Sequence, residues 1–369
     1  MNFPIAVLLL CALIGLADKM IGGRFGLAEE FDRGMTMMGS LAVTMSGVYC
    51  FSVMLGRLLS TVLQGVSLPL DPTILVSSVL ATDMGAYSIA DTLCTDYTQK
   101  IFSGVLLSAT LGTTISFSLP IALGSIPSKD SKNLMTGMVY GIIAIPVVLI
   151  IGSLLSGMAL TALLKSLLPV LLICALLGLC IFYGGEKAIR VFQRVGKGIN
   201  LLAIFLFVLI VLQVFLASDR FTLVDPSLIG EVLTIVFKIS DIVCRPFILK
   251  KLILKYFMHQ ILSLARKIHV NEFAIIGLLL NLINSVSMLS VFGKMDKRGQ
   301  LMNAASAVTS GFVFGGQLAF VSSVESNAVL AFILSKIAGG IVAMLIAILL
   351  SPPYDPENVY EENTILERS

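Results

Sequence analysis

The sequence predicts an all-α, polytopic integral membrane protein, and three observations predict it. Of 369 residues, 57% are hydrophobic and 13% are charged, against about 25% charged in a soluble domain. The mean hydropathy is +0.99. The apolar residues fall in runs close to the 20 or so that a helix needs to cross a bilayer. The formal net charge is only +3. With no basic patch interleaved with aromatics, nucleic acid is excluded as a partner.

Taken in order, the apolar segments lie at about 3–18, 35–57, 72–93, 101–125, 134–162, 166–184, 198–218, 230–257, 272–293, 299–322 and 328–350. That is about 9–11 transmembrane segments. The first has no basic region ahead of it and reads as a spanning helix, not a cleaved signal. The segment at 72–93 opens at Pro72 and is interrupted by Asp83-Met-Gly85. The one at 101–125 is rich in Ser, Thr and Gly. A basic amphipathic connector, 185–197, follows the segment at 166–184. The segment at 230–257 carries Lys238, Asp241 and Arg245. Asp241 and Arg245 are four apart and pair on one helix face, which makes them structural. The segment at 272–293 is interrupted by Asn281-Leu-Ile-Asn-Ser285 and Ser287. The tail from Ser351, with its Pro and acidic residues, should be solvated and mobile. The six Cys, at 11, 50, 94, 174, 180 and 244, show no CxxC or zinc spacing and read as small core hydrophobes. Neither a cofactor nor a metal site is expected.

The two halves read as a two-fold internal repeat. Asp96-Tyr-Thr-Gln-Lys-Ile-Phe-Ser-Gly has its counterpart in Asp296-Lys-Arg-Gly-Gln-Leu-Met-Asn-Ala. On the same offset Met84 falls opposite Asn284, and Thr110 opposite Ser310. The expected organisation is a first transmembrane repeat at 1–165, a linking helix and basic connector at 166–197, a second repeat at 198–350 and a tail at 351–369. Such duplication is a transporter signature, and interruptions at matching positions point to the substrate site. Lys and Arg in short loops set orientation. If 72–93 and 272–293 are re-entrant, the basic connections at 18–34, 126–133, 185–197, 258–271 and 293–299 share one side. The two halves are then inverted, the N-terminus is outside and the C-terminus is cytoplasmic.

Asp83 carries the site hypothesis. A charge near the bilayer centre costs about 2.5–3.5 kcal/mol on insertion scales, so one that is kept there marks function. Gly85 beside it lets the helix break. Tyr87 lies on the same segment. Thr113 and Thr114 sit mid-segment beside Gly112. In the second half Asn284 and Ser285 supply neutral donors and acceptors, and Gln317 follows Gly315-Gly316. One buried carboxylate among amides and hydroxyls suits a small cation that also hydrogen-bonds. An anion would call for Arg, Lys or helix N-termini instead.

At these residues the chain resembles the ethanolamine utilisation permeases, EutH. The resemblance is carried by Phe31-Asp-Arg-Gly-Met-Thr-Met-Met-Gly-Ser-Leu-Ala, Leu80-Ala-Thr-Asp-Met-Gly and Gly112-Thr-Thr-Ile-Ser-Phe-Ser-Leu-Pro-Ile-Ala-Leu-Gly124. Met295-Asp-Lys-Arg-Gly through Ala304, and Lys336-Ile-Ala-Gly-Gly340, extend it. It implies a bacterial inner-membrane carrier, not an enzyme, that takes up ethanolamine for ethanolamine ammonia-lyase. The family pattern has Asn-Asn-Ile-Pro where this chain has Asn284-Ser-Val-Ser287, and Asp-His where it has Gly316-Gln317. These departures admit a different substrate or ion coupling. The alternatives are a secondary transporter of another small amine or an amino acid, and a membrane-embedded enzyme. Against the enzyme stands the lack of HExxH or of clustered carboxylates. The reading admits a homo-oligomer, and H⁺ or Na⁺ as a coupling ion.

Overall fold

The computed structural model describes residues 3–63, 71–216, 223–256 and 258–351. Within them every regular element is helical. Apart from Ser351, the expected tail at 351–369 lies outside the described residues, as do the side chains of Cys11, Asp241, Cys244 and Arg245. Six helical stretches are long and apolar enough to cross a membrane: Ala42–Thr61, Tyr97–Ser125, Ser131–Leu155, Leu160–Gly184, Arg190–Leu216 and Ser326–Leu350. Two of the remaining apolar segments are not single spans, because each folds back on itself.

The first half begins with α1 (Phe3–Met20) and α2 (Leu27–Leu63). The turn between them is organised by Asp18, whose carboxylate accepts the backbone N–H groups of Phe25, Leu27 and Ala28. The interrupted segment at 72–93 is two short helices, α3 (Pro72–Val79) and α4 (Ala86–Leu93), joined by a 3₁₀ turn over Thr82–Met84. Eight residues of helix rise about 12 Å, less than half of a 30 Å hydrocarbon layer. The two helices pack against each other. Cys94 Sγ, just past α4, lies 3.7 Å from Thr73 Oγ1 at the start of α3. The chain therefore leaves where it came in. Asp71 caps α3 through Thr73 N–H, and Asp96 caps the next helix through Thr98 N–H.

That next stretch runs unbroken as α5 (Tyr97–Lys100), π-helix over Ile101–Gly112 and Thr114–Ser118, and α6 (Leu119–Ser125). It is the most buried of the six spans. Ser and Thr satisfy their own hydroxyls on the helix carbonyls, as Ser108 does on Gly104 and Thr110 on Leu106. They leave no bulk in the way of close helix packing. Then follow α7 (Ser131–Leu155) and the 57-residue α8 (Leu160–Leu216), which carries two of the six spans. Large apolar side chains along α8, Leu168, Leu172 and Phe205 among them, face outward, as a lipid-facing surface requires.

The second half adds α9 (Pro226–Tyr256), α10 (Met258–Ile268) and a second folded-back pair, α11 (Glu272–Ile283) and α12 (Ser285–Phe292). Asn271, the cap of α11, donates from Nδ2 to the carbonyl of Lys294 just past α12, at 2.7 Å. Both ends of this hairpin thus meet as well. Asp296 caps α13 (Lys297–Thr309). After a break, α14 (Gly316–Val324) and α15 (Val329–Leu350) complete the bundle.

The hairpins enter from opposite ends. The first has its ends beside Asp96, where Lys100 pairs with Asp91 at 3.0 Å and with Glu325, past α14, at 2.8 Å. There too Ser166, early in α8, donates to Gln99. The second has its ends beside Asp296. At that end Gln300 accepts from Asn133 and donates to Asp130, and Arg298 reaches the Ile348 carbonyl at the end of α15. The helices from Asp96 to Ser125 and from Asp296 to Val324 run between the two ends in opposite senses. The basic connections 126–133, 185–197 and 293–299 meet at the Asp296 end, where Gln193 also donates to the Leu123 carbonyl.

Candidate substrate site

The hairpin tips are built by local rules. Leu80 and Ala81 leave the helical region, and Gly85 takes φ +96°, a left-handed conformation that only glycine adopts without strain. A Cβ there would also stand 1.8 Å from Ser52 Oγ on α2. Thr82 anchors the tip by donating to the Gly104 carbonyl at 2.9 Å. At the second tip Asn284 is extended and caps α12, its Oδ1 accepting from Val286 N–H at 2.9 Å. The unwound stretch after α13 lies across that tip. Phe312 N–H donates to the Asn281 carbonyl at 3.0 Å, and Phe314 N–H to that of Leu282 at 2.8 Å. Phe312 is held at φ +60°, unusual for a bulky residue. Gly315 packs so close that a Cβ would meet the Ile283 carbonyl oxygen at 1.8 Å.

Between the tips lies a cavity of about 820 Å³, within the usual range of ligand pockets. Asp83 and Met84 line it from the first tip, and Ile283, Asn284 and Val286 from the second. Thr113, Ser116 and Phe117 of the π-helical stretch and Gln317 of α14 complete its depth. Gln193, Lys197 and Asn200 of α8 line it toward the Asp296 end, where Lys197 is exposed. Asp83 is the lone carboxylate among the lining residues.

Four expected site residues therefore converge: Asp83, Asn284, Thr113 and Gln317. Gln317 donates to Thr113 Oγ1 at 2.8 Å, and Thr113 donates to the Ser108 carbonyl at 2.9 Å. The other three are elsewhere. Thr114 is turned from the cavity and bonds the Thr110 carbonyl on its own helix. Ser285 is buried inside the second hairpin and donates to Asn281 Oδ1 at 2.5 Å. Tyr87 lines a second, smaller cavity of about 490 Å³ with Tyr49, Asp91 and Glu231. Its hydroxyl reaches Glu325 at 3.2 Å and its ring meets Phe320 edge-on.

Lys336, part of a run that carries the resemblance but not an expected site residue, stands behind the cavity wall. It is 1% exposed. Its Nζ donates to the Ala109 carbonyl at 2.8 Å and to Gln317 Oε1 at 2.7 Å. A lone charge within an otherwise apolar span was the available signal. Ser116, Asn200 and Lys197 also line the cavity without being expected there.

Known proteins resemble this chain over nearly its whole length. The family described as "Ethanolamine utilisation protein, EutH" matches residues 2–350. A probable ethanolamine permease EutH of Listeria monocytogenes is 32% identical over 365 residues, covering 98% of this chain and 97% of the relative. That of Salmonella typhimurium is 28% identical, covering 96% of this chain and 97% of its own. A Bacillus subtilis relative described as the uncharacterized protein YxeR is 29% identical, with 92% of each chain covered. No solved structure matches. With six apolar spans, two opposed hairpins and a family match over nearly its whole length, this multi-pass bacterial membrane protein belongs to the EutH family of permeases.

Proposed function

We propose that the protein takes up ethanolamine across the bacterial inner membrane, binding it as the ammonium ion between the two hairpin tips. One observation carries the reading: Asp83 and Asn284 line one cavity from opposite sides. A cation moved through hydrocarbon unpaired costs many kcal/mol, so its path must offer a counter-charge at depth. Asp83 supplies it. Asn284 already uses Oδ1 to cap α12, which leaves its amide N–H groups to donate. A hydroxyl oxygen accepts such a bond and an ammonium cannot. The ammonium thus sits on Asp83 and the hydroxyl on Asn284, which suits an amino alcohol. The names of the relatives support the same substrate.

The order of elements supports an inverted repeat. In each half a capped hairpin precedes a long helical stretch, unbroken over 97–125 and broken at 310–315 in the second half, then a single 3₁₀ turn and a further long helix. With the basic connections at the Asp296 end, the positive-inside rule makes that end cytoplasmic. The cavity, lined toward that end by Gln193 and Lys197, then faces inward.

The test is Asp83→Asn in proteoliposomes at equal acidic pH on both faces, where little neutral amine crosses unaided. Saturable uptake of labelled ethanolamine should be lost. At alkaline pH, where the neutral amine diffuses through lipid, wild type and variant should converge. Normal saturable uptake by Asp83→Asn at acidic pH would remove Asp83 from the site.

A further inference from the structure

Lys336 is the only charged residue of α15 and is fully buried. Among the described residues no carboxylate comes within ion-pair distance of it. Its Nζ has two hydrogen-bond acceptors, the Ala109 carbonyl and Gln317 Oε1, and lies 5.2 Å from the centre of the Phe332 ring. Gln317 is shared. One end of its amide holds Lys336, the other holds Thr113, and both Gln317 and Thr113 face the cavity that contains Asp83.

The surroundings of Lys336 offer little else that is charged. The π-helical stretch and α14 contribute no titratable side chain. Those of α7 are Lys132, in its first turn, and Tyr140; those of α13 are Lys297 and Arg298, in its first turn at the Asp296 end. Glu325, past α14, is taken by Lys100. Lys197 also lines the cavity but is exposed at its Asp296 end, so within the buried region one anion, Asp83, and one cation, Lys336, remain. Each would be prohibitively costly to bury alone, and together they sum to zero. A substrate ammonium arriving at Asp83 adds one positive charge to the same low-dielectric region. The excess is removed if one of the two ammonium groups loses a proton. The substrate has gained a carboxylate and keeps its own. Lys336 has none in contact, and a neutral amine retains two N–H groups, one for each of its two acceptors.

We propose that Lys336 is the site's resident cation, balancing Asp83 while the cavity is empty and releasing its proton when an ammonium substrate occupies Asp83. The inference rests on the proposed reading of the cavity. In the step one N–H bond of Lys336 breaks, the electron pair stays on Nζ, and the proton passes to the water on the open side. When the substrate leaves, Lys336 takes a proton back. Empty and loaded sites then carry the same net charge. Transport is an electroneutral exchange of one ammonium for one proton, indifferent to membrane potential and responsive to a pH difference.

Two measurements on the wild-type chain test this. Purified protein in weak buffer, at a pH where ethanolamine is fully protonated, should release about one proton per ethanolamine bound. In proteoliposomes, a valinomycin-set potassium potential of 100 mV, inside negative, should leave ethanolamine accumulation unchanged, whereas a simple cation uniporter would concentrate it about 50-fold. Lys336→Met should abolish the proton release and make accumulation follow the potential. Binding without proton release, or accumulation driven by potential in the wild type, would overturn the proposal and leave the ammonium site standing. Failure of the wild type to bind ethanolamine would overturn both.

Discussion

Asp83 and Asn284 belong to hairpins that enter from opposite ends, yet both line one cavity. Each stands where a helix stops, Asp83 in the 3₁₀ turn before Gly85 and Asn284 as the cap between α11 and α12. A substrate held there would touch both halves of the chain at once.

The two tips differ in what they can lose. Asn284→Ala removes both the amide and the cap of α12, and caps are worth about 1 kcal/mol. Asn284→Ser keeps a capping oxygen and removes the amide donor. Both should raise the KM for ethanolamine several-fold, and only Asn284→Ala should also lower the melting temperature. An unchanged KM in Asn284→Ser would show that the amide does not touch the substrate.

Thr113 and Thr114 are neighbours with opposite prospects. Thr113→Val leaves Gln317 Nε2 without its partner in a buried setting, a loss of about 1–3 kcal/mol. It should weaken transport and thermal stability together. Thr114→Val removes a bond confined to one helix and should leave uptake near wild type. Equal effects of the two on uptake would contradict the geometry.

Gly85→Ala should be among the most damaging small substitutions. It combines a left-handed backbone with a Cβ driven into Ser52. The strain of the backbone alone is about 1–3 kcal/mol. Ser52→Gly opens the space, so the double variant should melt above the sum of the two single losses. Additive losses would mean that Ser52 is not what Gly85 avoids.

Orientation can be read with single cysteines in a cysteine-free background. Lys297→Cys and Lys129→Cys, at the Asp296 end, should react only with reagent admitted to the cytoplasm. Asp96→Cys should react from outside intact cells. Labelling of Lys297→Cys from outside would reverse the orientation or break the hairpin at α11 and α12.

The sequence displayed the hairpins because a break in an apolar segment must expose polar or small residues, and Asp83-Met-Gly85 and Asn284 do so. Of the predicted site residues, Asp83, Asn284 and Gln317, at or beside breaks, reached the cavity, as did Thr113 from an unbroken stretch. Thr114 and Ser285 did not, because one step along a helix turns a side chain by about 100°. Tyr87 is four residues past Asp83, on a helix that leads away from the tip to the other cavity. The π-helical register of 101–118 is a property of backbone hydrogen bonds and leaves no mark in side-chain pattern. Lys336 lies in an unbroken span, with no interruption beside it.

The seam at the second tip joins main chain to main chain. Phe312 and Phe314 hang from Asn281 and Leu282 by amide and carbonyl alone. Exchanging Leu282 or Phe314 for another residue changes what surrounds the joint and leaves its bonds in place. Side chains at these two positions can therefore change without unfastening the hairpin from the stretch that crosses it. Proline at 314, which has no N–H to give, is the kind of change that would cut it.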